Sequence, residues 1–211
     1  LITGAGRGFC AGQDLNDRAV KKTDEAPDLG ESVEKNYNPL IRAIHGLEKP
    51  VICAVNGVAA GAGASIALAC DIVIAAKSAS FIQAFSKIGL VPDSGGTWSL
   101  PRALGLPRAK ALALLGDRLS AEKAEQWGMI WQSVADEELQ DEAIKLGEHL
   151  ATQPTKALAR IKQLINQSFA NPIHHQLELE KEAMRELGKS HDYQEGVSAF
   201  MEKRAPSFTG E

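Results

Sequence analysis

Apolar residues follow two different patterns along this chain. In the first half they form short continuous runs, Val51-Ile52-Cys53-Ala54-Val55 and Asp71-Ile72-Val73-Ile74-Ala75-Ala76. A strand with one wet face alternates, so such runs predict strands buried on both faces. A small-residue helix from about Gly63 to Ala69 falls between them and completes a strand, helix, strand unit. Asn38 to Leu47 has helical spacing with Leu40, Ile41, Ile44 and Leu47 on one face, and Pro50 ends it. Phe81 to Phe85 reads as a further strand or a loop edge, and Thr97 to Leu104 begins another helix. The opening Leu1-Ile2-Thr3-Gly4 resembles the tail of a buried strand already in progress, so the chain is expected to lack its start. From Lys21 to Glu34 the apolar pattern lapses, which predicts an exposed loop.

Beyond Pro107 helical spacing takes over. Ala109 to Leu115 is expected to stop at Gly116, Ser120 to cap Ala121 to Trp127, and Ile130 to Val134 to form a short strand. Glu137–Leu150, Thr155–Phe169 and Pro172–Leu187 each place apolar residues on one face and charges on the other. Gly188 is set to end the last of these, and a final segment runs from His191 to Lys203. The expected organisation is an α/β core over 1–135 followed by a helical region over 136–211.

The 211 residues suit one medium domain with an appended helical part. With 27 acidic against 23 basic residues and no large basic cluster, nucleic acid is an improbable partner. No apolar run is long enough for a membrane span and no signal-peptide pattern opens the chain, which makes the cytoplasm the expected location. Cys10, Cys53 and Cys70 show no paired spacing and read as reduced cysteines that bind no metal.

Two motifs mislead. Gly4-Ala5-Gly6-Arg7-Gly8 suggests a dinucleotide loop, yet Phe9 stands where a third glycine is needed and Asp24 lies in the polar stretch, so it reads as a tight turn. Gly63-Ala64-Ser65-Ile66-Ala67 approaches a serine-hydrolase elbow. Such a serine needs a base among His45, His149, His174, His175 and His191; otherwise Ser65 is a buried helix serine bonded to its own backbone.

The candidate chemistry sits at Gly89-Leu90-Val91-Pro92-Asp93-Ser94-Gly95-Gly96-Thr97, where a glycine-rich loop offers a carboxylate. Asp93 can cap the next helix or serve as an acid/base. Two other segments, Gly8 to Leu15 and Gly57 to Ser65, leave backbone N–H groups open to a ligand. Two such donors at a developing oxyanion, beside a carboxylate, can move a proton on the carbon next to a carbonyl. Phe85, Leu90, Val91 and Trp98 are expected to keep water from Asp93.

These segments, Phe9 to Leu15, Pro50 to Gly57, Gly61 to Ile72 and Gly89 to Thr97, together with Leu119 to Ala124 and Asp192 to Phe200, resemble the enoyl-CoA hydratase/isomerase (crotonase) superfamily. The resemblance covers almost the whole chain. It implies the crotonase fold, an α/β architecture of repeated ββα units with a helical C-terminal region, lacking here about 50 N-terminal residues of the usual domain. It implies an oxyanion hole from the amides of Ala11 and Ala62, with substrate contacts from Gly12, Gln13, Asp14, Leu15, Gly61, Gly63 and Phe85. Phe200 and Lys203 match a tail that approaches coenzyme A. The two glutamates of hydratase members fall at Ser65 and Phe85, whereas Asp93 occupies the acid/base position of isomerase members, including the ring-epoxide isomerases of phenylacetate degradation.

The implied activity is therefore isomerisation of acyl-CoA thioesters, ring 1,2-epoxyphenylacetyl-CoA to oxepin-CoA, together with a Δ3 to Δ2 double-bond shift. No cofactor or metal is implied, coenzyme A being part of the substrate. A homotrimer or dimer of trimers and a complex with a partner enoyl-CoA hydratase are implied as well. Enoyl-CoA hydration, serine hydrolysis and a silent CoA-binding scaffold are the alternatives.

Overall fold

The continuous apolar runs become neighbours in one parallel sheet. In the computed structural model, which describes residues 1–16 and 27–211, β2 (Ile52–Val55) pairs with β1 (Ile2–Thr3) on one side and with β4 (Ile72–Ala76) on the other. β7 (Gln132–Val134) adds to β4, giving the order β1-β2-β4-β7 with Cys53 opposite both Ile2 and Val73. All four residues of β2 are buried, as expected for a strand with no solvated face.

Of a second sheet the sequence pattern suggests only the strand or loop edge at Phe81. β3 (Val58–Ala60) runs parallel to β5 (Ser80–Ile82), which pairs antiparallel with β6 (Arg118–Ser120). Each strand has three residues, too few to show a period, and only pairing defines them. The Phe81 region is thus a strand followed by a 3₁₀ turn at Ala84–Ile88. β2 and β4 each lead into a strand of the second sheet and then a helix, α3 (Ala62–Ala69) after β3 and α4 (Gly96–Leu115) after β5. These are the repeated ββα units of the crotonase fold.

Several local expectations are corrected. Lys21–Glu34 is not one loop: α1 (Leu29–Asn36) begins after Asp28, whose carboxylate accepts from the Glu31 amide at 3.0 Å, while 17–26 fall outside the described residues. α2 (Asn38–Gly46) buries only Ile44 of the expected apolar face, and Leu40 and Leu47 are exposed. The two helices expected around Leu104 and Ala109 are both present: α4 is broken between them at Gly105, which takes a positive φ between Pro101 and Pro107, and the second ends at left-handed Gly116 as expected. Ser120 caps α5 (Ala121–Gln126) by accepting from Lys123.

The chain divides into two compact units, one of Leu1–Gly46 with Val51–Ile144, the other of Leu47–Pro50 with Lys145–Glu211. The second contains the end of α6 (Leu139–Ala151), α7 (Thr155–Ser168), α8 (Ile173–Leu187) and α9 (His191–Glu202). Gly188 does cap α8, but with right-handed backbone rather than the left-handed turn usual for glycine. After α9 the chain folds back, and the Asp192 carboxylate accepts from the amides of Thr209 and Gly210 at 2.7 and 2.8 Å. No described helix is long and apolar enough to cross a membrane.

Candidate active site

Close backbone approach builds the amide half of the site. Phe9 and Cys10 donate to the Val58 carbonyl at 3.1 and 3.2 Å, and Ala60 donates back to Cys10 at 2.8 Å, so the loop before Ala11 is zipped to β3. A Cβ on Gly63 would lie 2.3 Å from the Cys10 carbonyl oxygen, and one on Gly12 would lie 3.2 Å from the Ala62 nitrogen. Only glycines allow the Cys10–Gly12 backbone to approach the start of α3 this closely. Gly61 is the N-cap of α3 at φ 54°, which places Ala62, rather than Gly63, at the first helical position. The amides there have no acceptor within their own helix. Upstream, Asn56 accepts from Gly4 at 2.9 Å and donates to Gly6 and Gly8, which makes the Gly4–Gly8 run a side-chain-stapled turn.

The carboxylate half is packed onto the same helix start. A Cβ on Gly96 would fall 2.6 Å from Ser65 Oγ and 3.1 Å from Pro92 Cβ, so the end of the Asp93 loop at Gly96 lies against Ser65 of α3 and folds back on Pro92. Asp93 is half-buried. Its side chain is not a helix cap, since the N-cap of α4 is Gly95 with no side-chain cap; the Asp93 carbonyl instead accepts from Gly96 at 2.8 Å. The carboxylate Oδ1 accepts from Ser94 Oγ at 3.0 Å. Ser94 is 2% exposed and holds φ +51°. Left-handed backbone costs a residue with a Cβ about 1–2 kcal/mol. Sequence reading missed Ser94; Pro-Asp-Ser-Gly looks like any turn until its dihedrals are known.

Phe85 is buried, its ring tip 3.8 Å from where a Gly61 Cβ would stand. Of the rest of the expected apolar shield, Leu90 is half-buried, whereas Val91 is 77% exposed and Trp98 39%. Trp98, in the first turn of α4, is instead flanked by the Arg102 guanidinium at 3.9 Å and the His45 ring at 5.3 Å. Ser65 is fully buried, and its Oγ has no hydrogen-bond partner among the described residues, which corrects the expected bond to its own backbone and leaves no histidine to activate it.

Gln13 accepts from the Tyr37 hydroxyl at 2.8 Å, while Asp14 folds onto the Asn16 amide at 2.8 Å and Leu15 is exposed. Phe200 and Lys203 belong to the second unit. Phe200 is 82% exposed and Lys203 closes α9 at φ 54°. The three cysteines are free, and a hydrogen bond to Cys70 together with burial pushes the Cys53 thiol far up from its usual range.

Two sheets of ββα units, with glycine-lined amides and a carboxylate loop gathered at one helix start, define a crotonase-fold protein. The chain belongs to the enoyl-CoA hydratase/isomerase family, whose model matches residues 1–211. It is 65% identical over 210 residues to the 1,2-epoxyphenylacetyl-CoA isomerase of Escherichia coli (strain K12), covering 100% of this chain and 80% of that protein. A Rhodobacter capsulatus protein named "Probable enoyl-CoA hydratase" is 48% identical with the same coverage. The crystal structure of an enoyl-CoA hydratase from Bacillus anthracis superposes with a TM-score of 0.91 at 36% identity, covering 99% of this chain and 80% of that one.

Proposed function

We propose that this chain isomerises acyl-CoA thioesters, with Asp93 moving the proton and the Ala11 and Ala62 amides receiving the charge. Asp93 takes a proton from the carbon next to the thioester carbonyl. The freed electron pair moves onto the carbonyl oxygen, where the two amides stabilise it, each donor contributing about 3 kcal/mol in sites of this kind. When the pair returns, the proton is delivered to another carbon. In a 3-enoyl-CoA this carries the double bond from Δ3 to Δ2. In ring 1,2-epoxyphenylacetyl-CoA the bond between the two epoxide carbons opens and the proton goes to the ring, giving oxepin-CoA. No atom or electron is gained or lost, so the reaction calls for no cofactor.

The observation that carries this reading is the side-chain set around the start of α3. Asp93 supplies a carboxylate on the loop packed there, while Ser65 and Phe85 supply none. Hydration needs a group to activate water as well as one to deliver a proton; isomerisation needs a single shuttle. The 65% identity to the E. coli isomerase supports the epoxide as substrate.

Gly12, Gln13, Asp14, Leu15, Gly61, Gly63 and Phe85 line the acyl and thioester end in this proposal, and Phe200 and Lys203 serve the coenzyme A moiety. The helical region, 136–211, carries a trimer or dimer of trimers in the cytoplasm, with a partner enoyl-CoA hydratase downstream. Exposed Ile165, Phe169, Ile173, Met184 and Met201 support that packing role. Sedimentation at micromolar concentration should give a trimer or hexamer, and a monomer would remove the assembly from the proposal.

The test compares wild type and Asp93→Asn on a 3-enoyl-CoA and on enzymatically generated epoxyphenylacetyl-CoA, with crotonyl-CoA hydration as control. Asp93→Asn should lower isomerisation by roughly 10³-fold, within the range for a lost general acid/base, and neither protein should hydrate appreciably. Strong hydration independent of Asp93 would replace this assignment with the hydratase reading that the R. capsulatus relative favours.

A further inference from the structure

Ser94 is the one residue of the Asp93 loop whose backbone and side chain disagree about what belongs there. Its φ of +51° suits glycine, and among the described residues the only other non-glycine with positive φ is Lys203, at the end of a helix. Two glycines follow it directly, so a third would have removed the strain at once. The hydroxyl is nevertheless present, 2% exposed, and aimed at Asp93 Oδ1 3.0 Å away.

The chain's capping serines behave differently. Ser120 and Ser190 have extended backbone at φ −68° and −71° and accept from amides three residues on. Ser94 caps no helix; the cap of α4 is Gly95. It donates to a carboxylate, and a hydrogen bond with an ionised partner is about twice as strong as a neutral one. The loop beneath is immobilised from the other side, where Gly96 leaves no room for a Cβ against Ser65.

We infer that Ser94 is a positioning residue: its hydroxyl, carried on strained left-handed backbone, fixes the plane of the Asp93 carboxylate for proton transfer. This rests on Asp93 being the shuttle. Displacing a reacting group by a fraction of an ångström lowers the rate of the chemical step and leaves substrate affinity nearly unchanged.

The experiment measures kcat and KM for 3-enoyl-CoA isomerisation by the full chain as wild type, Ser94→Gly, Ser94→Ala, Asp93→Asn and the double variant Ser94→Gly/Asp93→Asn. Ser94→Gly suits the left-handed backbone and removes the hydroxymethyl group, while Ser94→Ala removes only the hydroxyl. The kcat of Ser94→Gly should fall about 10- to 100-fold, with KM within about twofold and a melting temperature no lower than wild type. A purely structural serine would give full activity in the glycine variant. Ser94→Ala should show the same fall in kcat with lower stability, and decides the matter should the glycine variant fold poorly. In the double variant the loss should not exceed that of Asp93→Asn alone.

Wild-type kcat in Ser94→Gly beside an inactive Asp93→Asn overturns this inference and leaves the Asp93 reading standing. Wild-type kcat in Asp93→Asn overturns both. A multiplied loss in the double variant means that Ser94 acts by a route other than Asp93, and overturns the inference as well.

Discussion

The two compact units hold their critical segments by opposite means. In the first, loops are fixed by backbone meeting backbone: a Cβ on Gly57 would stand 2.1 Å from the Arg7 carbonyl oxygen, and one on Gly63 2.3 Å from that of Cys10. In the second, the return of the chain after α9 is fixed by carboxylates. Asp192 takes the Thr209 and Gly210 amides, and Glu195 takes Arg204 and the Ser207 amide. The contrast teaches that main chain seated directly on main chain leaves no space for side chains, whereas tying down a terminal segment is done with carboxylates, Asp192 buried and Glu195 partly so. One construction is intolerant of volume and the other of acid.

The strongest way to break the comparison is Gly63→Ala. The added methyl meets the Cys10 carbonyl and Cβ, which are held against β3 and cannot rotate away, so we expect destabilisation of about 3 kcal/mol or more together with loss of isomerisation. Gly46→Ala, at a helix end where a Cβ meets nothing within 4 Å, should change stability by no more than about 1 kcal/mol, in the favourable direction. Denaturant unfolding of both variants provides the measurement; equal effects would remove close packing as the explanation.

Next in size is Asp192→Ala. It strands two amides that now bond a buried carboxylate, and should destabilise by about 2 kcal/mol, read as earlier proteolysis of residues 205–211. The same latch has a pH signature. Burial acts to raise the Asp192 pKa, but the Thr209 and Gly210 amides outweigh it and leave the carboxyl below its usual value. Arg204, with the Ser207 amide, lowers Glu195 to about 2. For groups depressed in the folded state, stability is complete above the unfolded carboxylate range near pH 4 and is lost as the pH falls toward the folded value. Protection of the tail amides, taken relative to their intrinsic exchange rate at each pH, should accordingly fall between about pH 4 and pH 2. Protection unaffected by acid there would show that the latch is not ionic.

The smallest effect is expected at Glu31→Ala in α1. The Glu31–Lys35 pair spans one helical turn with both side chains mostly exposed, and its removal should cost about 0.3–0.5 kcal/mol, shrinking further in high salt. A larger loss in thermal melts would mean that surface charge supports the first unit too.

Much of this molecule was legible one residue at a time. β2 and β4 were visible because strands buried on both faces must be continuously apolar, and the helices of the second half because amphipathic faces repeat at a fixed period. Asp93, the Gly61–Gly63 turn and the family resemblance were readable because they depend on residue type and spacing. The second sheet was not, beyond the strand or edge suggested at Phe81: β3, β5 and β6 are three-residue segments defined by their pairing, and pairing is a property of distant chain. α1 was hidden by its composition, since one Asp28 cap and polar helix formers leave little apolar pattern to detect. The left-handed backbone of Ser94, the approach of Gly63 to Cys10 and the seating of Gly96 on Ser65 were decided by tertiary structure alone. Periodicity records which face of an element avoids water, but a dihedral angle and an interatomic gap are set by whatever the fold brings alongside.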